Sequence, residues 1–218
     1  MSDRRTIIAQ RVALDLESGA YVNLGIGIPT LVANYIADDR DIIFHTENGI
    51  LGFVGLTPDD DQVDADLIDA GKQPVRLRSG GSFFDHGLSF AMIRGGHIDV
   101  AVLGAFQVSA AGALASWADD PDAMMNAVGG AMDLAVGAKQ VFVAMTHTSA
   151  GRRKLVDQCS LPLTAPSGVS RVYTELGVFE PVGTGFRALS LTPGVSEATV
   201  IEETGARVFF DRMEAPVR

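Results

Sequence analysis

The sequence predicts an α/β fold, a largely parallel sheet flanked by helices. Three observations carry this expectation. Segments of strand character alternate with helical ones, and several apolar runs end at glycines before the next helical stretch. The third is composition: 47% hydrophobic against 20% charged residues over 218 positions leaves enough apolar side chain for a sizeable core. With no long linker in view, residues 1–218 read as a single domain.

In chain order, residues 6–17 place Ile8, Ala9, Val12, Ala13 and Leu16 on one helical face and stop at Ser18-Gly19. Residues 20–24 form a short strand that breaks into Gly25-Ile26-Gly27-Ile28-Pro29-Thr30, and residues 31–37 recover helical character with Pro29 near the first turn. The pattern repeats with a strand at 42–46 before Glu47-Asn48-Gly49, and another at 75–79 before Gly80-Gly81. An apolar run at 97–108 follows Gly95-Gly96. A helical stretch at 129–138 then precedes a strand at 140–147. Residues 56–71 hold six aspartates and read as a charged surface loop, whereas 149–154 is a basic hairpin tip in solvent. A helix at 195–205 and a strand at 207–210 close the chain.

Several function classes drop out. With 17 Lys+Arg against 27 Asp+Glu the net charge is −10, which argues against generic nucleic-acid binding. One cysteine, Cys159, and four scattered histidines provide neither a disulfide nor a zinc cluster. No apolar run reaches the roughly 18 residues that span a bilayer, and the first 19 residues lack a signal-peptide pattern, so the expected compartment is the cytoplasm. His45 and Glu47 spell H-x-E, but the C-x-x-C of a zinc deaminase is missing. No G-x-S-x-G elbow supports a serine hydrolase.

The remaining candidates each have a bland alternative. Glu47 ends an apolar strand immediately before Asn-Gly, where α/β proteins present reactive groups; otherwise it is a surface turn residue. Backbone N–H groups around Gly27, and at Gly129-Gly130 where a helix opens, suit an anion or simply a tight packing turn. Asn23 is a ligand-binding amide or an ordinary strand-end hydrogen bonder. Lys72, beside the acidic loop, meets a phosphate or polar ligand or stays solvated.

Read together, NLGIGIPTLVANYI, HTENGILGFVG, DADLIDAGK, GGSFFDHGLSFAMIRGGHIDVAVLGAFQVS, VGGAMDLAVGAKQVFVAMTH and KLVDQCSLPLT resemble, in order and spacing, the B (β) subunit of family I CoA-transferases of 3-oxoacids. HTENG is similar to that family's S-E-N-G active-site motif, with Thr46 in place of serine. The resemblance implies a CoA-transferase/NagB-like fold and makes Glu47 the nucleophile. It places Asn23 beside the acyl or CoA site and Lys72 in contact with CoA, and puts Gly27, Gly129 and Gly130 in the oxyanion and substrate region. It also implies CoA as a substrate, with no resident metal or redox cofactor, and a separate A (α) subunit completing an α2β2 heterotetramer. Asn126-Ala127-Val128 before the paired glycines, with GAYVNLGIG and VLGAFQVS, is closer to the 3-oxoadipate branch than to the acetoacetate branch. A sugar-phosphate isomerase or sugar-effector sensor on a similar scaffold is the alternative from another class.

Overall fold

Ile8, Ala9, Val12 and Ala13 are the buried stripe of α1 (Arg4–Asp15), at the spacing the sequence predicts. The structure, a computed structural model, describes residues 3–37, 39–55, 64–120 and 127–211. After α1 come β1 (Tyr21–Leu24), a 3-10 helical segment (Pro29–Tyr35), β2 (Ile43–Thr46), β3 (Ile50–Gly55) and β4 (Val75–Phe83). Then follow α2 (His86–Arg94), β5 (Val100–Leu103), β6 (Gln107–Ser109), β7 (Leu114–Ala115), α3 (Ala131–Gly137) and β8 (Gln140–Ala144). The chain continues through β9 (Thr148–Ser149), β10 (Arg152–Arg153), β11 (Leu155–Val156), β12 (Val169–Tyr173), β13 (Gly177–Pro181), β14 (Phe186–Leu191), α4 (Glu197–Glu203) and β15 (Val208–Phe209).

Ten strands form one sheet in the order β15-β14-β13-β12-β8-β5-β1-β2-β3-β4. Its centre, β12-β8-β5-β1-β2, is parallel. The flanks are antiparallel over β2-β3-β4 on one side and β12-β13-β14 on the other, and β15 adds to β14 in parallel, so the expected largely parallel sheet is present with antiparallel pairings beside its centre. Strand alternation splits the core into two layers. Val22, Phe44, Val102 and Phe142 pack with α1 on one face, whereas Ala101, Val141, Val143 and Val172 pack with Ile93, Leu134 and Val200 of α2, α3 and α4 on the other.

Three local expectations change. Helical residues after Pro29 form a 3-10 segment rather than an α-helix. Strand β4 runs on through Gly80-Gly81, because a Cβ at 81 would lie 2.8 Å from the Gly52 carbonyl oxygen and the glycine lets β3 and β4 close across a register shift. The apolar run at 97–108 divides at Gly104: β6 leaves the large sheet and joins β7 and β11. Of the acidic stretch 56–71, residues 56–63 lie outside the described part, and Asp64 to Asp66 are exposed. The basic hairpin is present as β9 and β10, with Ala150 and Gly151 at its tip both at positive φ, the geometry of a two-residue turn.

The chain runs from β1 to β2 on one side and places β5 and β8 on the other. The carboxyl ends of these four parallel strands therefore lie along one edge of the sheet, across a topological switch point. In open α/β sheets that edge is where ligands bind.

Candidate active site

A cavity of ≈ 670 Å³ occupies this edge. Its walls are the turn after β1 (Gly25 to Ile28), Glu47 after β2, Leu103 to Phe106 after β5, Met145 and Thr146 after β8, and the start of α3 from Gly129. Arg5, Ala70 and Lys154 also line it.

Glu47 rides on a laced turn between β2 and β3. The Gly49 N–H donates to the Thr46 carbonyl at 3.0 Å, and the Gly49 carbonyl accepts from the Phe84 N–H at 3.0 Å. Thr46 Oγ1 donates to Asn48 Oδ1 at 2.6 Å and accepts from the Ala70 N–H at 2.8 Å, while Asn48 Nδ2 donates to the Ile68 carbonyl at 2.8 Å. Thr46 and Asn48 thus tie the 68–70 segment against Glu47. A hydroxyl at 46 suffices for this, which explains why threonine can stand where the resembling motif has serine. Burial raises the Glu47 carboxyl above its ordinary pKa, and His86 opposes the rise.

Gly130 marks how closely the carboxylate is packed. A Cβ there would sit 2.8 Å from Phe90 Cζ and 3.0 Å from Glu47 Oε2. Gly130→Ala should displace the carboxylate while leaving an ordinary backbone, since Gly130 has φ −75. A shift of about 1 Å at a reacting group costs roughly 100-fold in rate. Steady-state turnover with an unchanged melting temperature is the expected outcome pair, with turnover down by about that factor.

Asn23 takes a different place from a ligand contact. Alternation along β1 and β2 turns Asn23 and His45, which are register partners, toward α2. Asn23 Nδ2 lies 3.0 Å from His45 Nδ1, and His45 Nε2 lies 3.1 Å from Ser89 Oγ. Donation from the amide makes Nδ1 the acceptor, so the Nε2–H donates to Ser89. Burial pushes the His45 pKa down to about 4 and keeps the ring neutral, stacked 5.8 Å from Phe84. Asn23 is 1% exposed and does not line the cavity. It locks the strand that carries Glu47 to the helix that carries Phe90. Asn23→Ala leaves His45 Nδ1 without its donor and should cost about 1–3 kcal/mol in chemical denaturation.

Of the sequence candidates, Glu47, Gly27, Gly129 and Gly130 therefore share one cavity, and Asn23 lies behind it. Lys72 is exposed on a turn two residues beyond Ala70, at φ 60, and does not line the cavity. Lys154 does line it, contrary to the reading of 149–154 as wholly solvated: Arg152 and Arg153 are exposed, but Lys154 turns inward. A charge directly preceding the apolar pair Leu155-Val156 was the available signal, the mirror image of the one that singles out Glu47. Among the described residues, no group of three or more His, Cys, Asp or Glu side chains converges as a metal site. No helix among them is long and apolar enough to cross a membrane.

A family model described as coenzyme A transferase matches residues 5–203. The chain is 55% identical over 188 residues to the B (β) subunit of the 3-oxoadipate CoA-transferase of Pseudomonas putida, covering 86% of this chain and 87% of the relative. It is 48% identical over 203 residues to the B (β) subunit of the succinyl-CoA:3-ketoacid coenzyme A transferase of Helicobacter pylori, covering 93% and 97%. Among solved structures, the acyl-CoA transferase YdiF of Escherichia coli O157:H7 superposes with a TM-score of 0.72 at 20% identity. That match covers 98% of this chain and 42% of the longer YdiF chain, so the likeness concerns the fold of less than half of that protein. With the strand-end glutamate in its cavity and a family match spanning nearly its whole length, this chain belongs to the coenzyme A transferase family.

Proposed function

We propose that the chain is the β subunit of an enzyme that moves CoA from succinyl-CoA to a 3-oxoacid, with 3-oxoadipate the acceptor, and that it works with a separate α subunit as an α2β2 heterotetramer. The observation that carries this reading is Glu47, held by a fixed turn at the floor of a cavity large enough for an acyl thioester end. The Pseudomonas putida relative, 55% identical, supports the acceptor; the Helicobacter pylori relative, 48% identical, makes another 3-ketoacid the second reading.

The Glu47 carboxylate attacks the thioester carbonyl carbon. A carbon–oxygen bond forms, the carbon–sulfur bond breaks, and its electron pair leaves with the CoA thiolate. The thiolate then attacks the glutamyl carbonyl of the resulting anhydride, releasing the first acid as a carboxylate and leaving a glutamyl-CoA thioester. The acceptor acid reverses both steps, which predicts ping-pong kinetics. The burial that raises the Glu47 pKa also strips water from its carboxylate, which favours attack and protects two hydrolysable intermediates. Gly27 and Gly129 line the same cavity, and backbone N–H groups near them would stabilise the tetrahedral oxyanions, each donor worth about 2.7–4 kcal/mol. Lys72, exposed beside this edge, would meet the phosphates of CoA, and no resident cofactor is needed.

The heteromer is supported by the apolar surface of the cavity region. Ile26 and Phe106 line the cavity yet are 69% and 38% exposed, and Met132 and Val136 form an exposed apolar i, i+4 pair on α3. CoA transfer from succinyl-CoA should appear only after this chain is mixed with its α subunit, and faster to 3-oxoadipate than to acetoacetate. Full transfer by the chain alone would sink the heteromer; the reverse preference would favour the second reading.

A further inference from the structure

Lys154 is a cation in the cavity for which the chemistry above has no use. Its main chain is fixed on both sides: the N–H donates to the His147 carbonyl at 3.2 Å, and its carbonyl accepts from the Val108 N–H at 2.9 Å. The side chain is thereby delivered beside Met145 and Thr146, past the end of β8. Among the described residues, no carboxylate forms an ion pair with its Nζ and no acceptor takes a hydrogen bond from it. The acid whose charge acts on it, Glu175, is otherwise engaged: Oε2 accepts from the His147 N–H at 2.9 Å and Oε1 lies 3.6 Å from Arg4. His147, between Thr174 and Thr204, is held neutral by burial with a pKa pushed down to about 4. Burial likewise pulls the Lys154 ammonium down to about 8, with Glu175 opposing.

A half-buried ammonium without a contact partner is costly unless a ligand supplies the counter-charge. The other cavity-lining cation, Arg5, is exposed. Position decides what kind of anion fits. Strands β2, β1, β5 and β8 are consecutive in the sheet, so three steps of about 4.8 Å separate the end that carries Glu47 from the end beside Lys154, roughly 14 Å. Two side chains reaching inward across that span leave room for a short acyl chain with a charge at its far end.

We propose that Lys154 receives the distal carboxylate of a dicarboxylic acyl group whose other end reacts at Glu47. The inference rests on the transferase reading of Glu47 and adds to it the group that receives the far carboxylate of a diacid on either side of the exchange, succinyl or 3-oxoadipyl. Lys154→Met keeps the aliphatic stem and removes the charge. In the assembled complex it should lower the ratio of kcat/KM for succinyl-CoA to that for butyryl-CoA at least about 30-fold, the scale of breaking a buried charge pair. Lys154→Arg should restore much of that ratio, an effect that a purely structural lysine would not produce. Equal losses with the two thioesters, or a ratio that collapses in Arg5→Ala but not in Lys154→Met, would overturn the assignment while leaving the transferase reading intact. A wild-type complex that transfers CoA from neither thioester would overturn both.

Discussion

Glu47→Gln, assembled with the α subunit, will lose CoA transfer by about five to six orders of magnitude, the scale of deleting a covalent nucleophile. The amide matches the carboxylate in shape but cannot form the anhydride. The same substitution should stabilise the fold at neutral pH. Burial raises the folded-state pKa of Glu47, so the folded protein holds this proton more tightly than the unfolded chain. Stability linked to the group is therefore fully present below the unfolded pKa and is lost as pH rises through the folded value. At pH 7 the wild type carries that loss and the glutamine variant does not; at pH 4 the two should melt closer together. A site that spends stability on a desolvated carboxylate is the expected signature of a nucleophile. Thermal melts at the two pH values, beside turnover, check both halves.

Gly49→Ala should be the most damaging change that removes no reacting atom. Gly49 sits at φ +113, which L side chains rarely adopt, and its Cβ would be driven into the Phe84 carbonyl oxygen. Because the Phe84 N–H is bonded to the Gly49 carbonyl, the two backbones cannot separate without losing that bond as well. Strain of about 1–3 kcal/mol and a lost hydrogen bond of about 1 kcal/mol add to roughly 2–4 kcal/mol. Since Glu47 rides on this turn, turnover should fall by about 100-fold or more in whatever fraction still folds. Urea unfolding and activity per folded molecule separate the two effects.

What could be read in advance follows from how local each signal is. The α1 stripe, the four central strands, α3 and the C-terminal helix are written in short-range periodicity, and Glu47 was legible because a charge closing an apolar strand before Asn-Gly is locally anomalous. The antiparallel flanks were not legible, because the partner of a strand is set by contacts far along the chain. Nothing within β4 says that Gly80-Gly81 continues a strand; the neighbouring Gly52 does. Asn23 illustrates a further limit: its residue type suits a ligand, but only the register with His45 and the approach of Ser89 show where its amide is engaged. Lys154 was hidden in a run of three basic residues of which two are exposed, and only the third faces the cavity.

The most direct measurement is peptide mass spectrometry after the assembled enzyme is incubated with succinyl-CoA and treated with borohydride, which reduces a thioester to an alcohol. The Glu47 side chain should be recovered as the corresponding alcohol, and the modification should disappear when acceptor acid is added before the borohydride. A Glu47 recovered unmodified from an enzyme that is turning over, or an alcohol found at a different carboxylate, would contradict the covalent role assigned to this residue.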